Sequence, residues 1–372
     1  MKLKGKVKFV NKDKSLFFPT LRKRVDAYFT ENNLSKTGNS QLLTKSIVLL
    51  LLYLVPFAGL LAFTPGLGIS LILWFVMGIG VAGVAMSVMH DANHGAFSKS
   101  KTMNYLMAHS VNLLGASAFN WKLQHNILHH TYTNVVEMDE DIDDMVFMRF
   151  SPHTNVRFYH KLQWVYAFFF YGLLTLYWVI LKDFLQFFKY IRSGVNANSR
   201  AQNRNAFLKI IAFKVLYFFS ILVAPTLLFG IPFWEVLLGF VLMHFVAGII
   251  LSTVFQLAHT VEGTSHPLPC ESGIIENDWA IHQLSTTANF ARKSKLLSWY
   301  VGGLNFQIEH HLFPRISHVH YPAIAEIVKQ TASEFNLTYI ESKTFLQAVR
   351  SHLSTLHRFG RLRLPNLNEV MA

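Results

Sequence analysis

Two long stretches of the chain are almost free of charge. No Lys, Arg, Asp or Glu occurs from Ser46 to His90, and only Glu235 interrupts Val215 to His259. One bilayer crossing takes about 20 apolar residues, so each stretch is long enough for two. Each is broken near its middle, at Thr64-Pro65-Gly66-Leu67-Gly68 and at Phe229-Gly230-Ile231-Pro232, where Gly and Pro end helices and permit tight hairpins. The pattern predicts spans near 46–63, 68–90, 207–229 and 233–258. Leu162 to Leu181 is also uncharged and could make a fifth crossing by length. Its Trp164, Tyr166, Tyr171, Tyr177 and Trp178 suit a helix at the membrane interface instead, where aromatic rings prefer to sit. A fifth crossing would also separate the histidines near 310 from those near 90 and 130. Tyr105 to Trp121, with His109, Asn112 and Asn120 on it, reads as a cytoplasmic or shallow helix.

Charge then orients the spans. Residues 1–45 hold 11 Lys and Arg against 3 acids, residues 91–206 hold 11 against 8, and residues 260–372 hold 10 against 9. The two hairpin links hold no basic residue. By the positive-inside rule the basic segments are cytoplasmic and the links face out. The expected fold is an all-α integral membrane protein, with four transmembrane helices in two hairpins under a cytoplasmic helical cap. A cytoplasmic segment 1–45 precedes the membrane domain 46–322, and a cytoplasmic segment 323–372 follows it. Only 15% of the residues are charged, against about 25% in soluble domains. The first 40 residues lack the apolar core of a cleavable signal peptide. The partner this composition implies is the membrane, not nucleic acid.

Cys270 is the single cysteine, which removes internal disulfides, thiolate zinc sites and iron–sulfur clusters. Histidine, at 18 copies, is the opposite case. His90-Asp91-Ala92-Asn93-His94 closes the second span, His125-Asn126-Ile127-Leu128-His129-His130 lies in the first large cytoplasmic segment, and Gln307-Ile308-Glu309-His310-His311 lies in the last. Positions i and i+4 share a helix face, so His90 with His94, and His125 with His129, are each expected to point at one site. His259 ends the fourth span as His90 ends the second. Imidazole suits iron, copper, zinc and nickel. Since one ion rarely needs more than four to six protein ligands, eight such histidines imply two ions.

Other features are weaker. Gly78-Ile79-Gly80-Val81-Ala82-Gly83 spells a dinucleotide fingerprint, but inside a span small residues serve close helix packing. Glu137 to Asp144 holds six acids in eight residues. It reads either as a solvated loop or as outer support for metal-bound imidazoles, with Asp139, Asp141 and Asp91 as candidates. His282 is a possible ligand or neighbour of the site. His244 lies roughly 22 Å up the fourth span from His259 and is out of reach. His318 and His320 read as surface or packing residues.

With three histidine boxes separated by these spans, the chain resembles the membrane-bound fatty acid desaturases from about Leu21 to Pro322. Gln307 opening the third box resembles the front-end branch, which includes linoleoyl-CoA-type enzymes. The resemblance implies a non-haem centre of two iron ions, with His90, His94, His125, His129, His130, His259, His310 and His311 as ligands and Gln307 as a ligand or near neighbour. It also implies dioxygen as co-substrate and a cis double bond placed in a fatty acyl chain. No His-Pro-Gly-Gly of a fused cytochrome occurs, so a separate electron donor is expected, a ferredoxin or a b-type cytochrome with its reductase, as in bacterial members. The expected location is the bacterial inner membrane. A lipid hydroxylase or ketolase of the same fold is the nearest alternative. A histidine-rich metal transporter is the alternative from another class, although transporters place such residues in mid-span rather than at span ends.

Overall fold

The computed structural model describes residues 7–11, 15–142 and 146–362. Among the described residues, five helices are long and apolar enough to cross a membrane: α1 (Ser40–Phe63), α2 (Leu67–Asn93), α3 (Phe158–Ser193), α4 (Arg200–Phe229) and α5 (Phe233–His259). Four coincide with the expected spans, extended by up to seven residues where polar caps allow. Asn39 accepts from Leu42 N–H at the start of α1. Ser199 and Gln202 form a reciprocal capping box at the start of α4.

The glycines of the second span are packing sites. A Cβ on Gly78 would stand 2.6 Å from Met243 O of α5, and one on Gly80 would stand 2.7 Å from Tyr53 N of α1. α2 is thereby pressed between α1 and α5. Gly78 meets Met243 and Val246 while Gly239 meets Trp74, so α2 and α5 run in the same direction. Their carboxy-terminal ends, His90 and His259, consequently lie at one end of the bundle.

α3 does not lie flat across the bundle end, as its aromatic content suggested. It packs lengthwise on α5, with Gly248 closed against Tyr171 O and Gly172 O, and Thr175 Oγ1–H donating to His244 O at 2.6 Å. Its first turn is nevertheless held at the histidine-bearing end, where Gln163 Nε2 donates to Arg149 O and Leu356 O. Its last turns return there, since Gln186 Nε2 donates to Gln124 Oε1 at 2.8 Å and Tyr190 OH to Glu140 Oε2 at 2.8 Å. Between them lies a π-helical stretch, Trp178–Lys182, the kind of irregularity that accommodates a bend.

Above this end sits a cap with its own core. Phe17, Leu21 and Val25 of the helix Phe17–Glu31 pack on Ile324 and Val328 of the helix Tyr321–Glu334. Two short parallel pairs, Lys8–Phe9 with Ile274–Ile275 and Asn289–Phe290 with Glu341–Ser342, tie distant loops together. The predicted helix at 105–121 is three short ones, Lys101–Ala108, Ser110–Leu113 and Ala118–Trp121.

Candidate metal centre

The boxes arrive on short elements at the end of the bundle. His90 and His94 close α2, His125 and His129 sit on a π-helical stretch, Lys122–His129, and His310 and His311 on a six-residue helix, Gln307–Leu312. All eight expected ligands converge. His90, His94, His125 and His310 have ring nitrogens within 4.8 Å of one another, and so do His129, His259 and His311; His130 joins His310 and His311 in a third such set, between the other two.

This corrects one expectation from spacing. His125 and His129 do share a face, their rings stacked 5.2 Å apart, but they enter different groups. Likewise His310 faces one group and its neighbour His311 the other. The i, i+4 pair is thus divided between two groups of imidazoles and does not serve one.

The donor atoms suit metal ions. His90 Nε2 and His130 Nε2 lie 3.1 and 3.2 Å from His125 Nε2, and two ligands at right angles about 2.1 Å from one ion stand about 3.0 Å apart. The Nε2 atoms of His94, His129, His259, His310 and His311 are buried without a hydrogen-bond partner, a costly arrangement unless something binds there. On the opposite ring atom, three of these imidazoles are spoken for. His129 Nδ1–H donates to Asp139 at 3.1 Å and His311 Nδ1–H to Gln283 Oε1 at 2.7 Å, while His310 Nδ1 is hydrogen-bonded to the Tyr321 hydroxyl at 3.1 Å. The two acceptors fix the tautomers of His129 and His311 with the Nε2 lone pair facing inward, and the Tyr321 hydroxyl holds the His310 ring with Nε2 on the same side.

Burial pushes the imidazoles of His94, His125, His130, His310 and His311 well below their ordinary range, and their crowding acts in the same direction. They are therefore neutral and able to coordinate. His129 goes the other way: burial alone would lower it, but the Asp139 carboxylate, with Asp141 behind it, outweighs that and raises it. Burial, reinforced by Asp139, pushes Asp141 up to about 6.

The acidic run is solvated only in part: Glu137 is exposed, but the described carboxylates that follow it face inward. Asp139 is buried, and Asp141 accepts from Gln124 Nε2 at 2.6 Å and stands 3.6 Å from His129 Nδ1. Asp143 and Asp144 lie outside the described residues. Asp91 sits behind His90, Oδ1 to Nδ1 3.9 Å. Gln307 is buried with Oε1 unpartnered and belongs to neither group. His282 is buried against Phe9, ring centroids 4.8 Å apart, and also stands outside the groups. His244 accepts from Tyr217 OH at 2.7 Å, far up α5. Of the surface and packing readings, packing holds for both: His320 packs on Phe29, and His318 is buried against Asp91. Tyr321, Gln283 and Thr133, whose hydroxyl donates to Gln283 Oε1 at 2.8 Å, escaped the sequence reading. Nothing in their local pattern separates them from ordinary polar residues.

Replacing Asp139 with Asn should cost roughly 10–100-fold in metal affinity or activity, the usual effect of losing such a partner. Metal content and turnover of Asp139→Asn, measured together, check this, and wild-type values for both would remove Asp139 from the site.

A largely apolar cavity opens beside the first group. His90, His125 and Gln307 form part of its wall, with Met86 of α2, Trp178 of α3 and Phe255 of α5 among the remainder. Its lining comes from three of the long helices, and two candidate ligands, His90 and His125, face into it.

Comparison with known proteins gives a consistent result. A profile of the family described as fatty acid desaturase matches residues 68–343. The chain is 34% identical over 345 residues, 92% of each chain, to a protein of Arthrospira platensis named sn-1 linoleoyl-lipid 6-desaturase. It is 33% identical to one of the same name from Synechocystis sp., across 93% of this chain and 96% of the relative. It is 34% identical to an acyl-lipid (8-3)-desaturase of Physcomitrium patens, across 96% of this chain and 74% of that one.

Proposed function

Because the chain belongs to the fatty acid desaturase family, and is an oxidoreductase of lipid metabolism, we propose that it places a cis double bond in a fatty acyl chain at a non-haem di-iron centre. The observation that carries this reading is the pair of imidazole groups with unpartnered Nε2 atoms, set against an apolar cavity. His90, His94, His125 and His310 would hold one iron and His129, His259 and His311 the other, with His130 between them. When bound, the metals would supply the dioxygen activation and oxidising power that removal of hydrogen from an unactivated methylene demands. The net change is loss of two hydrogens from the chain and reduction of dioxygen to two waters, with two electrons and two protons supplied.

This chain's own residues do the rest. The cavity walls hold the acyl chain extended and in one register, so that one pair of carbons faces His90 and His125. Asp139 and Gln283 keep protons on Nδ1 of their imidazoles and the lone pairs of Nε2 inward, and the Tyr321 hydroxyl orients the ring of His310. The apolar lining excludes water, so oxidising power is directed at the substrate. The names of the relatives favour an acyl-lipid as the carrier. The electrons would come from a ferredoxin or a b-type cytochrome.

Four crossings are favoured over five. His90 and His259 lie at one end, and both ends of α3 bond the segment that carries the second box, so α3 enters and returns. Both termini and the metal site then face the cytoplasm. Cysteines placed at Lys101, Asn155 and Lys293, in a Cys270→Ser background, should all label from that side. A single opposite result at Lys293 would mean that α3 crosses.

The function itself is tested by lipid profiling of a host expressing the chain and fed several unsaturated precursors. The expected product has lost two hydrogens relative to its precursor. A product that has gained oxygen would replace desaturation by hydroxylation.

A further inference from the structure

Lys45 stands in the second turn of α1 with only 4% of its surface exposed. A buried cation at the edge of a membrane span is costly, and such residues are retained where they have work and a partner. Its ammonium donates to His318 Nε2 at 2.5 Å and to Trp299 O at 3.0 Å. An ammonium has no acceptor, so His318 must offer a lone pair at Nε2 and carry its proton on Nδ1. That Nδ1 stands 2.9 Å from Asp91 Oδ2. The same carboxylate oxygen accepts from Ser317 OH at 2.7 Å and from His318 N–H at 3.2 Å. The other oxygen, Oδ1, lies 3.9 Å from His90 Nδ1, a charge–dipole contact rather than a hydrogen bond.

A row of cation, imidazole, carboxylate and imidazole therefore runs from the first span to the first metal group. It crosses three separate pieces of chain: α1, the loop after the third box, and the end of α2. Lys45, Asp91 and His318 are each at most 5% exposed, so water does not substitute for a missing member. The other group is supported independently, by Asp139 behind His129.

We propose that Lys45 and His318 are positioning residues for the group His90, His94, His125 and His310. They hold Asp91 behind His90, keeping its proton on Nδ1 and its Nε2 lone pair turned inward, and they fasten the segment after the third box to the first box. This rests on the metal reading above. It extends that reading by making one of the two sites depend on the first membrane span.

The test is iron per chain, the iron spectrum and the thermal midpoint of the purified full-length protein. Wild type is compared with Lys45→Met, Lys45→Arg, His318→Gln, His318→Leu and the double variant Lys45→Met with Asp91→Asn. Lys45→Met and His318→Leu should lose about half of the iron, with the spectrum changing from that of a coupled pair to that of a single ion. Lys45→Arg should recover part of the loss. His318→Gln should recover more, since an amide can still accept from Lys45 and donate to Asp91. The double variant removes the uncompensated carboxylate, so its midpoint should return towards wild type while its iron stays low. If Lys45→Met does not fold, the His318 pair and the double variant decide the matter. Wild-type iron and spectrum in Lys45→Met or His318→Leu, or recovery of both midpoint and iron in the double variant, would reduce the row to a structural ion pair. A wild-type protein without iron overturns the metal reading itself, and is seen before any variant is compared.

Discussion

His125→Ala and His310→Ala are expected to lower product formation more than about 100-fold and to lower bound iron, at equal expression. Loss of an outer partner of a metal ligand already costs roughly 10–100-fold, and these variants remove the donor itself. Both imidazoles belong to the first group, and His125 in addition lines the cavity. Their Nε2 atoms lie among those of neighbours that supply no substitute: His125 Nε2 is 3.1 Å from His90 Nε2 and 3.2 Å from His130 Nε2. Lipid profiling and iron analysis of the same preparations check the expectation. Full activity in either variant would remove that residue from the site.

Lys214→Met should be the most destabilising single change away from the histidines. Lys214 Nζ stands 2.8 Å from Asp183 Oδ2 and donates to Val179 O at 2.7 Å and Gly115 O at 2.9 Å. Both side chains are buried, Lys214 at 5% exposure and Asp183 at 0%. They join α4 to α3 just beyond the π-helical stretch. Removing one member leaves the other charged and unpaired in a dry place, which costs roughly 3–5 kcal/mol; replacing both by apolar residues often costs little. Thermal unfolding in detergent should show a large drop for Lys214→Met and substantial recovery for Lys214→Met with Asp183→Leu. Because Trp178 and the following turn form a wall of the cavity, activity should fall with stability in the single variant. An unchanged midpoint would show that the pair bears no strain.

Much of this was legible in the chain because membrane spans and histidine boxes are both local signals. A charge-free run such as Ser46 to His90 needs no knowledge of its neighbours to be read as two crossings. The boxes, likewise, declare their chemistry by residue type. What was not legible is the pairing across distance. Which of His125 and His129 joins which group depends on how the box-bearing segment sits against α2 and α5, and no spacing rule reports that. Gln283 and Tyr321 owe their importance to partners 28 and 11 residues away. His318 was open to a surface or a packing role because its tripeptide, His-Val-His before Tyr-Pro, has no apolar pattern; its burial comes from α1 and the end of α2. For α3, composition pointed to a helix at the interface and did not report its packing on α5. Its path along α5 and back follows from Gly172, Gly248 and the Lys214–Asp183 pair, contacts that only the folded chain assembles.

The order in which the candidate ligands occur along the chain has a consequence for its biosynthesis. His90 and His94 are made early, His259 only at the end of the fifth long helix, and His310 and His311 later still. At a synthesis rate of about 5–20 residues per second, more than two hundred residues separate the first from the last, or roughly 10–45 s. Neither imidazole group can close until the last box has left the ribosome and folded back onto helices inserted long before. On the proposed reading, metal delivery would follow membrane insertion, and a nascent chain stalled before the third box would hold only an open, incomplete set of donors.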